Sequence, residues 1–125
     1  MYANQLRIYE SVSKAAMSGR EVEAAVLTKA ALKLKDCQDN WQAEDRRAKL
    51  HCALKFNQLM WSIFQAELLK SDNPLPKKLR QDILNLSVFI DKRIFEAMAG
   101  PSPEKLTDII NINLRLAAGL KLLPS

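Results

Sequence analysis

The sequence is poor in the residues that interrupt helices. Its 125 residues include only three glycines and five prolines. The stretches between them are rich in Ala, Leu, Lys, Gln and Glu, which are good helix formers. No segment alternates apolar and polar residues in the way that a half-buried strand does. We therefore predict an all-α fold, built as a single helical domain over residues 1–125.

The groups that carry catalysis or hold metals are also scarce. His51 is the one histidine, and it precedes Cys52, so on a helix the two side chains point about 100° apart. With Cys37 they make three candidate zinc ligands at most, without the paired spacing of known zinc sites. The sequence has no Ser-His-Asp arrangement and no glycine-rich phosphate loop. We expect a protein that is not an enzyme and that holds no cofactor or metal.

Long apolar runs are missing as well. The longest fall far short of the roughly 18 consecutive apolar residues that a membrane helix needs. No basic-then-apolar leader opens the sequence, since Tyr2, Asn4 and Arg7 come within its first residues. Two cysteines do not make the disulfide framework of a small secreted domain. We expect a cytoplasmic protein that does not insert into a membrane.

The charge balance is basic, with a net charge of +5, but the charges are dispersed. The sequence has no block of five or six like charges, and the densest patch is Lys77, Lys78 and Arg80. This distribution favours a solvated helix surface over a nucleic-acid footprint. The alternative is an RNA-binding surface that combines this patch with Lys92 and Arg93.

Five segments have the apolar spacing of helices. They cover residues 2–17, a second stretch to about residue 37, residues 43–70, residues 76–99 and residues 103–120. The segment 43–70 has one apolar line, formed by Leu50, Leu54, Asn57, Trp61, Phe64 and Leu68. A second apolar stretch lies beside it, formed by Cys52, Phe56, Leu59, Ile63 and Leu69. This segment is therefore apolar over most of its circumference, so it has to be surrounded by other helices. The fourth segment has an inner line formed by Leu79, Ile83, Leu86, Ile90, Ile94 and Ala97. We predict a bundle of about five helices with the third helix at its centre.

Local signals predict where three of these helices begin. Ser18 stands three residues before Glu21, which matches a capping box. Pro76 can serve as the first residue of the fourth helix, because a helix tolerates proline in its first turn. The Ser-Pro-Glu run at 102–104 combines a cap, a first-turn proline and an acid that the helix dipole favours.

Two features have both a structural and a functional interpretation. Asn57 and Asn113 fall in the middle of apolar helix faces, where each is either a register-setting polar contact in the core or a contact with a bound partner. Leu84, Val88 and Phe95 lie opposite the main apolar line of the fourth helix. They are either covered by a crossing helix or part of a groove that accepts an amphipathic helix.

The order of several short runs resembles a known family. They are ALKFNQLMW at 53–61, NPLP at 73–76 and LRQDILNL at 79–86, with YESV at 9–12, REVE at 20–23 and IININ at 109–113. Together they are similar to FlaF, the flagellar biosynthesis regulator of alphaproteobacteria. The positions that carry the family motif are Asn57, Trp61, Asn73, Pro74, Leu75, Pro76, Arg80, Asn85 and Leu86.

The resemblance implies a role in flagellum biogenesis. Members of the family are thought to promote flagellin synthesis or export and to act as flagellin-specific secretion chaperones. They are thought to work against or alongside FlbT, a regulator that restrains flagellin translation. Three hypotheses follow: a chaperone that binds flagellin, an RNA-binding regulator of the flagellin message, and an adaptor that binds FlbT. The direct partner and the oligomeric state stay open at the level of sequence.

Overall fold

The computed structural model describes residues 19–123, and the fold in this range is all-helical as predicted. Four helices follow one another: α1 (Arg20–Asp39), α2 (Arg46–Leu68), α3 (Lys77–Ala99) and α4 (Glu104–Lys121). They correspond to the second to fifth segments expected from the sequence. The described residues therefore hold four helices rather than five. The expected first helix, at 2–17, lies outside the described residues.

The helices form an antiparallel ring. Each packs against the next one along the chain, and α4 closes the ring by its extensive contact with α1. Gln38, near the end of α1, donates hydrogen bonds to the Pro103 carbonyl and to Thr107 Oγ1 at the start of α4 (2.8 and 3.0 Å). This contact fixes the antiparallel direction of the closing pair. Short connections produce the same up-and-down order in other four-helix bundles.

The core lies along the axis of the ring and takes one apolar face from each helix. On α2 this face is the line that the sequence predicted, and all six of its members are buried: Leu50, Leu54, Asn57, Trp61, Phe64 and Leu68.

The prediction that residues 43–70 form a central, surrounded helix is wrong within the described range. The helix α2 occupies one place in the ring and packs against two neighbours, α1 and α3. Its second apolar stretch is divided, because Phe56 is buried whereas Cys52 is exposed and Leu69 retains 72% of its accessible surface. Apolar residues occur around most of this helix, but the helix is not buried on all sides, because each helix of a ring keeps an outer face.

The helix starts agree only in part with the predicted caps. The helix α3 begins directly after Pro76, whose carbonyl accepts a hydrogen bond from the Arg80 backbone N–H (2.9 Å). The predicted side-chain cap at Ser102 does not form, and Pro103 precedes α4 instead of opening it. The Lys105 backbone N–H donates to the Ser102 carbonyl at 3.3 Å instead. Gly19 precedes α1 with a positive φ of 111°, and the predicted cap residue Ser18 lies outside the described residues.

Candidate functional site

A chain of hydrogen bonds crosses the centre of the bundle. The Trp61 indole N–H donates to Asn113 Oδ1 (2.9 Å), and Asn113 Nδ2 donates to Asn57 Oδ1 (2.7 Å). Asn57 Nδ2 in turn donates to the main-chain carbonyls of Ala53 (2.9 Å) and Ala30 (3.2 Å). The chain therefore joins α2 to α4 and to the backbone of α1.

The network supports the structural interpretation of the two asparagines, which is a polar contact within the core. Asn57 and Asn113 are both 0% exposed, and each amide has its oxygen and its nitrogen hydrogen-bonded inside the protein. A buried polar group costs free energy unless it is paired, and these are paired. A protein that docks on the outside of the bundle does not reach them. The interpretation of Asn57 and Asn113 as partner contacts is therefore replaced by a role in the register of three helices.

The loop between α2 and α3 holds the next group of motif residues. Asn73 Nδ2 donates to the Glu67 carbonyl (3.0 Å), and Asn73 Oδ1 accepts from the Leu75 backbone N–H (3.0 Å). This local bonding is typical of asparagine in turns. It directs Leu75 into the end of the core, where the side chain is buried. Arg80 Nη1 closes the loop by donating to the Lys70 carbonyl (3.2 Å).

The remaining motif positions lie around this loop and on α3. Pro74 and Pro76 are exposed, and the pair prevents α2 and α3 from joining into one helix. Asn85 is exposed and accepts a hydrogen bond from Gln81 Nε2 (3.1 Å), whereas Leu86 is half-buried against the core. Most motif residues thus hold the fold, and three of them, Trp61, Asn73 and Leu75, line one small apolar cavity at the loop end of the core.

The apolar stripe of Leu84, Val88 and Phe95 lies on the outer surface of α3. Leu84 is half-buried at its edge, while Val88 and Phe95 retain 69% and 71% of their accessible surface. Spacings of four and seven residues place the three side chains on one face of the helix. Of the two interpretations of this stripe, coverage by a crossing helix is not found among residues 19–123.

The stripe lies beside the contact between α2 and α3. Asp91 lies between Val88 and Phe95 along this face, and its Oδ2 accepts a hydrogen bond from Gln65 Nε2 of α2 (2.8 Å). One turn beyond Gln65 is Leu69, whose exposure the sequence interpretation missed. The sequence did contain a signal for this exposure, because Leu69 stands directly before the polar run that follows α2. We call Leu84, Val88, Phe95 and the neighbouring Leu69 the α3 face.

Three titratable groups have shifted pKa values. Lys70 directly follows Leu69, and its hydrogen bond and ion pair with Glu67 (2.8 Å) raise the pKa of its ammonium group. The other two, Glu23 and Cys37, lie on α1, away from the α3 face. Burial raises the pKa of Glu23, and the ion pair with Arg20 (2.8 Å) opposes that shift. Burial likewise raises the pKa of the Cys37 thiol, which makes it a weaker nucleophile. His51 and Cys52 are exposed. Residues 19–123 contain no group of three or more His, Cys, Asp or Glu side chains arranged for a metal ion.

The candidate RNA-binding residues are largely engaged within the bundle. Lys78 pairs with Asp82 (3.0 Å), Arg93 pairs with Asp108 (3.1 Å), and Arg80 is used by the loop hydrogen bond already described. Of the five basic side chains, Lys77 and Lys92 have no such partner among the described residues.

Comparison with known proteins places the chain in a family. A model described as flagellar protein FlaF matches residues 5–120. No curated protein and no solved structure matches the chain. None of the four described helices has the length and apolar content to cross a membrane. The family match spans nearly the whole sequence, in agreement with the resemblance of its short runs, and the chain therefore belongs to the FlaF family of flagellar proteins.

Proposed function

We propose that this flagellar protein is a cytoplasmic, non-catalytic chaperone that binds flagellin and thereby promotes flagellin synthesis and export. The observation that carries the proposal is the α3 face, where Val88 and Phe95 remain exposed beside the contact of α3 with α2. Family membership supplies the flagellar context. Capture of an amphipathic segment by an apolar surface is a common mode of protein recognition.

The chemistry of the α3 face suits an apolar partner with a polar margin. Contact would remove the side chains of Val88 and Phe95 from water, which is the main driving force of such association. Asp91 and Lys92 provide one charge of each sign at the edge of the stripe. A flagellin segment held there has its apolar residues covered, so it is protected from self-association before export.

Two other functions remain as outcomes of the test. One is RNA-binding regulation of the flagellin message together with FlbT, which the net charge of +5 favours. Against it stand the internal partners of Lys78, Arg80 and Arg93. The other is an adaptor that binds FlbT directly and flagellin only indirectly.

The experiment is a titration of purified protein with monomeric flagellin, using Val88→Asp as the test variant. Because Val88 is exposed, the new carboxylate stays hydrated in the free protein and the melting temperature should not change. Binding should fall by at least about tenfold, since the complex would desolvate that charge against an apolar segment. Leu122→Asp is the matched control, because it makes the same kind of change just after α4, where Leu122 is 86% exposed.

Each outcome separates the hypotheses. Calorimetry on the original protein should give a negative heat-capacity change and an affinity that depends weakly on salt. Collapse of the affinity between low and moderate salt, with binding to flagellin message, would support the RNA hypothesis. Binding to FlbT alone would support the adaptor. A stable Val88→Asp variant that still binds flagellin normally excludes the α3 face.

A further inference from the structure

A second exposed surface lies on α1, diagonally across the ring from α3. It is an open groove beside the end of α4, with a floor formed by Ala25, Thr28 and Leu32. Lys29, Lys33 and Lys121 surround this floor. The two helices α1 and α3 do not pack against each other, so a partner on this groove does not cover the α3 face.

The groove carries an excess of positive charge. Among residues 19–123, no carboxylate forms an ion pair with Lys29, Lys33 or Lys121, whereas the neighbouring Lys35 is paired with Asp39 at 2.9 Å. The one carboxylate in the groove, that of Asp36, already accepts a hydrogen bond from Asn40 (3.0 Å). The groove therefore has three ammonium groups and a single carboxylate, and that carboxylate is already hydrogen-bonded to Asn40.

Two of the lysines are positioned by the core. The ammonium nitrogens of Lys29 and Lys33 lie 5.9 and 5.3 Å from the centroid of the Phe56 ring on α2. Cation–π contact of this kind holds a flexible side chain near one position. The ring is itself buried, so it is a fixed support for both charges. Because the two lysine side chains are already restrained, they lose less side-chain entropy when a partner pairs with them than unrestrained lysines would.

The exposed side of α1 has the spacing of a helix-packing seam. Val22, Ala25, Lys29, Leu32 and Asp36 follow steps of three and four residues along the exposed side of α1. This is the pattern by which one helix presents a continuous line to another. Leu32 supplies the exposed apolar centre of that line.

We propose that this open groove on α1, beside the end of α4, docks a helical segment of an acidic protein, with apolar residues over Leu32 and Asp or Glu residues beside the lysines. Charge complementarity selects the sign of the partner. Nucleic acid fits less well, because the groove has no arginine and no exposed aromatic ring, and Asp36 would face the phosphates. The protein then has two docking faces, which lets it hold flagellin and a second protein together.

The probes are two synthetic amphipathic helical peptides with the same leucine face, one flanked by glutamates and the other by lysines. The glutamate peptide should bind the full chain about tenfold more tightly than the lysine peptide, and its affinity should fall as salt is raised. Lys33→Glu should reverse or abolish that preference, and Leu32→Asp should weaken both peptides. Val88→Asp should change neither, so failure of this proposal is distinguishable from failure of the flagellin proposal.

Thermal melts of the variants verify that each remains folded, and amide chemical shifts on binding locate the peptide. Equal affinity for the two peptides, or shifts confined to α3, would overturn the proposal. Tight binding of a single-stranded RNA probe that displaces the glutamate peptide would also overturn it and assign the groove to nucleic acid.

Discussion

Removing the Asn113 side chain tests whether the buried network holds three helices in register. In Asn113→Ala the Trp61 indole N–H loses its acceptor and Asn57 Oδ1 loses its donor. Both groups are buried, so neither reaches solvent without opening the core. The substitution therefore removes two hydrogen bonds and leaves one donor and one acceptor unpaired.

The magnitude follows from the cost of an unpaired buried group, which is about 1–3 kcal/mol. Two such groups give a loss of about 2–6 kcal/mol in the free energy of unfolding, before any contribution from the vacated space. A domain of this size holds roughly 5–15 kcal/mol in total, so the loss is a large fraction of it. Asn111→Ala is the matched control, because Asn111 is exposed two residues earlier on α4 and its loss should stay within about 0.5 kcal/mol.

Urea unfolding of Asn113→Ala, Trp61→Phe and the double variant measures the coupling directly. Trp61→Phe removes the indole donor, so the double variant contains no indole N–H that is left without an acceptor. The double variant should therefore lose less than the sum of the two single losses, by about 1 kcal/mol or more. Additive losses, or a loss from Asn113→Ala as small as that from Asn111→Ala, would refute the reasoning.

Three further outcomes follow from burial and charge. Trp61→Ala should cost about 3–5 kcal/mol, since Trp61 is fully buried, and a circular-dichroism melt checks it. Glu23 has a raised pKa, so its folded state binds more protons than its unfolded state, and its contribution to stability falls as pH rises above the ordinary value of 4.5. Glu23→Gln should therefore make the free energy of unfolding less dependent on pH between about 5 and 7, as urea titrations at both values would reveal. Leu69→Asp should weaken flagellin binding without lowering the melting temperature, because Leu69 is exposed one turn beyond Gln65, which bonds Asp91 between Val88 and Phe95.

The inner faces of the helices were predictable because residues spaced by the helical period lie on the same face of a helix. The line through Trp61 on α2 is buried throughout, as the spacing predicted. The line through Ile90 on α3 is also inward, although Leu79 and Leu86 on it are only half-buried. Periodicity also placed Asn57 and Asn113 on inner faces, but it could not show that their amides meet across the core. That pairing joins residues 56 positions apart, so it depends on how the helices close into a ring.

The outer faces were not predictable in the same way. An apolar residue outside the inner line is covered or left exposed according to the number and position of neighbouring helices. Phe56 and Leu69 have similar apolar character on one helix, yet Phe56 faces the α1 side and Leu69 faces solvent. The Ser102 side-chain cap is absent for a different reason. Backbone groups of the tight turn before α4 already accept hydrogen bonds from the first N–H groups of that helix.

The amount of apolar surface on α3 limits what the stripe achieves alone. Full burial of a Val or Phe side chain is worth about 1.5–3 kcal/mol, so covering the exposed parts of Val88 and Phe95 supplies roughly 2–4 kcal/mol. Micromolar binding needs about 8 kcal/mol after the entropic cost of association has been met. A partner held at that affinity must therefore contact more than the stripe. Leu69 keeps 72% of its surface exposed one turn beyond Gln65, which bonds Asp91 of α3, so it is a large apolar side chain available to extend the contact.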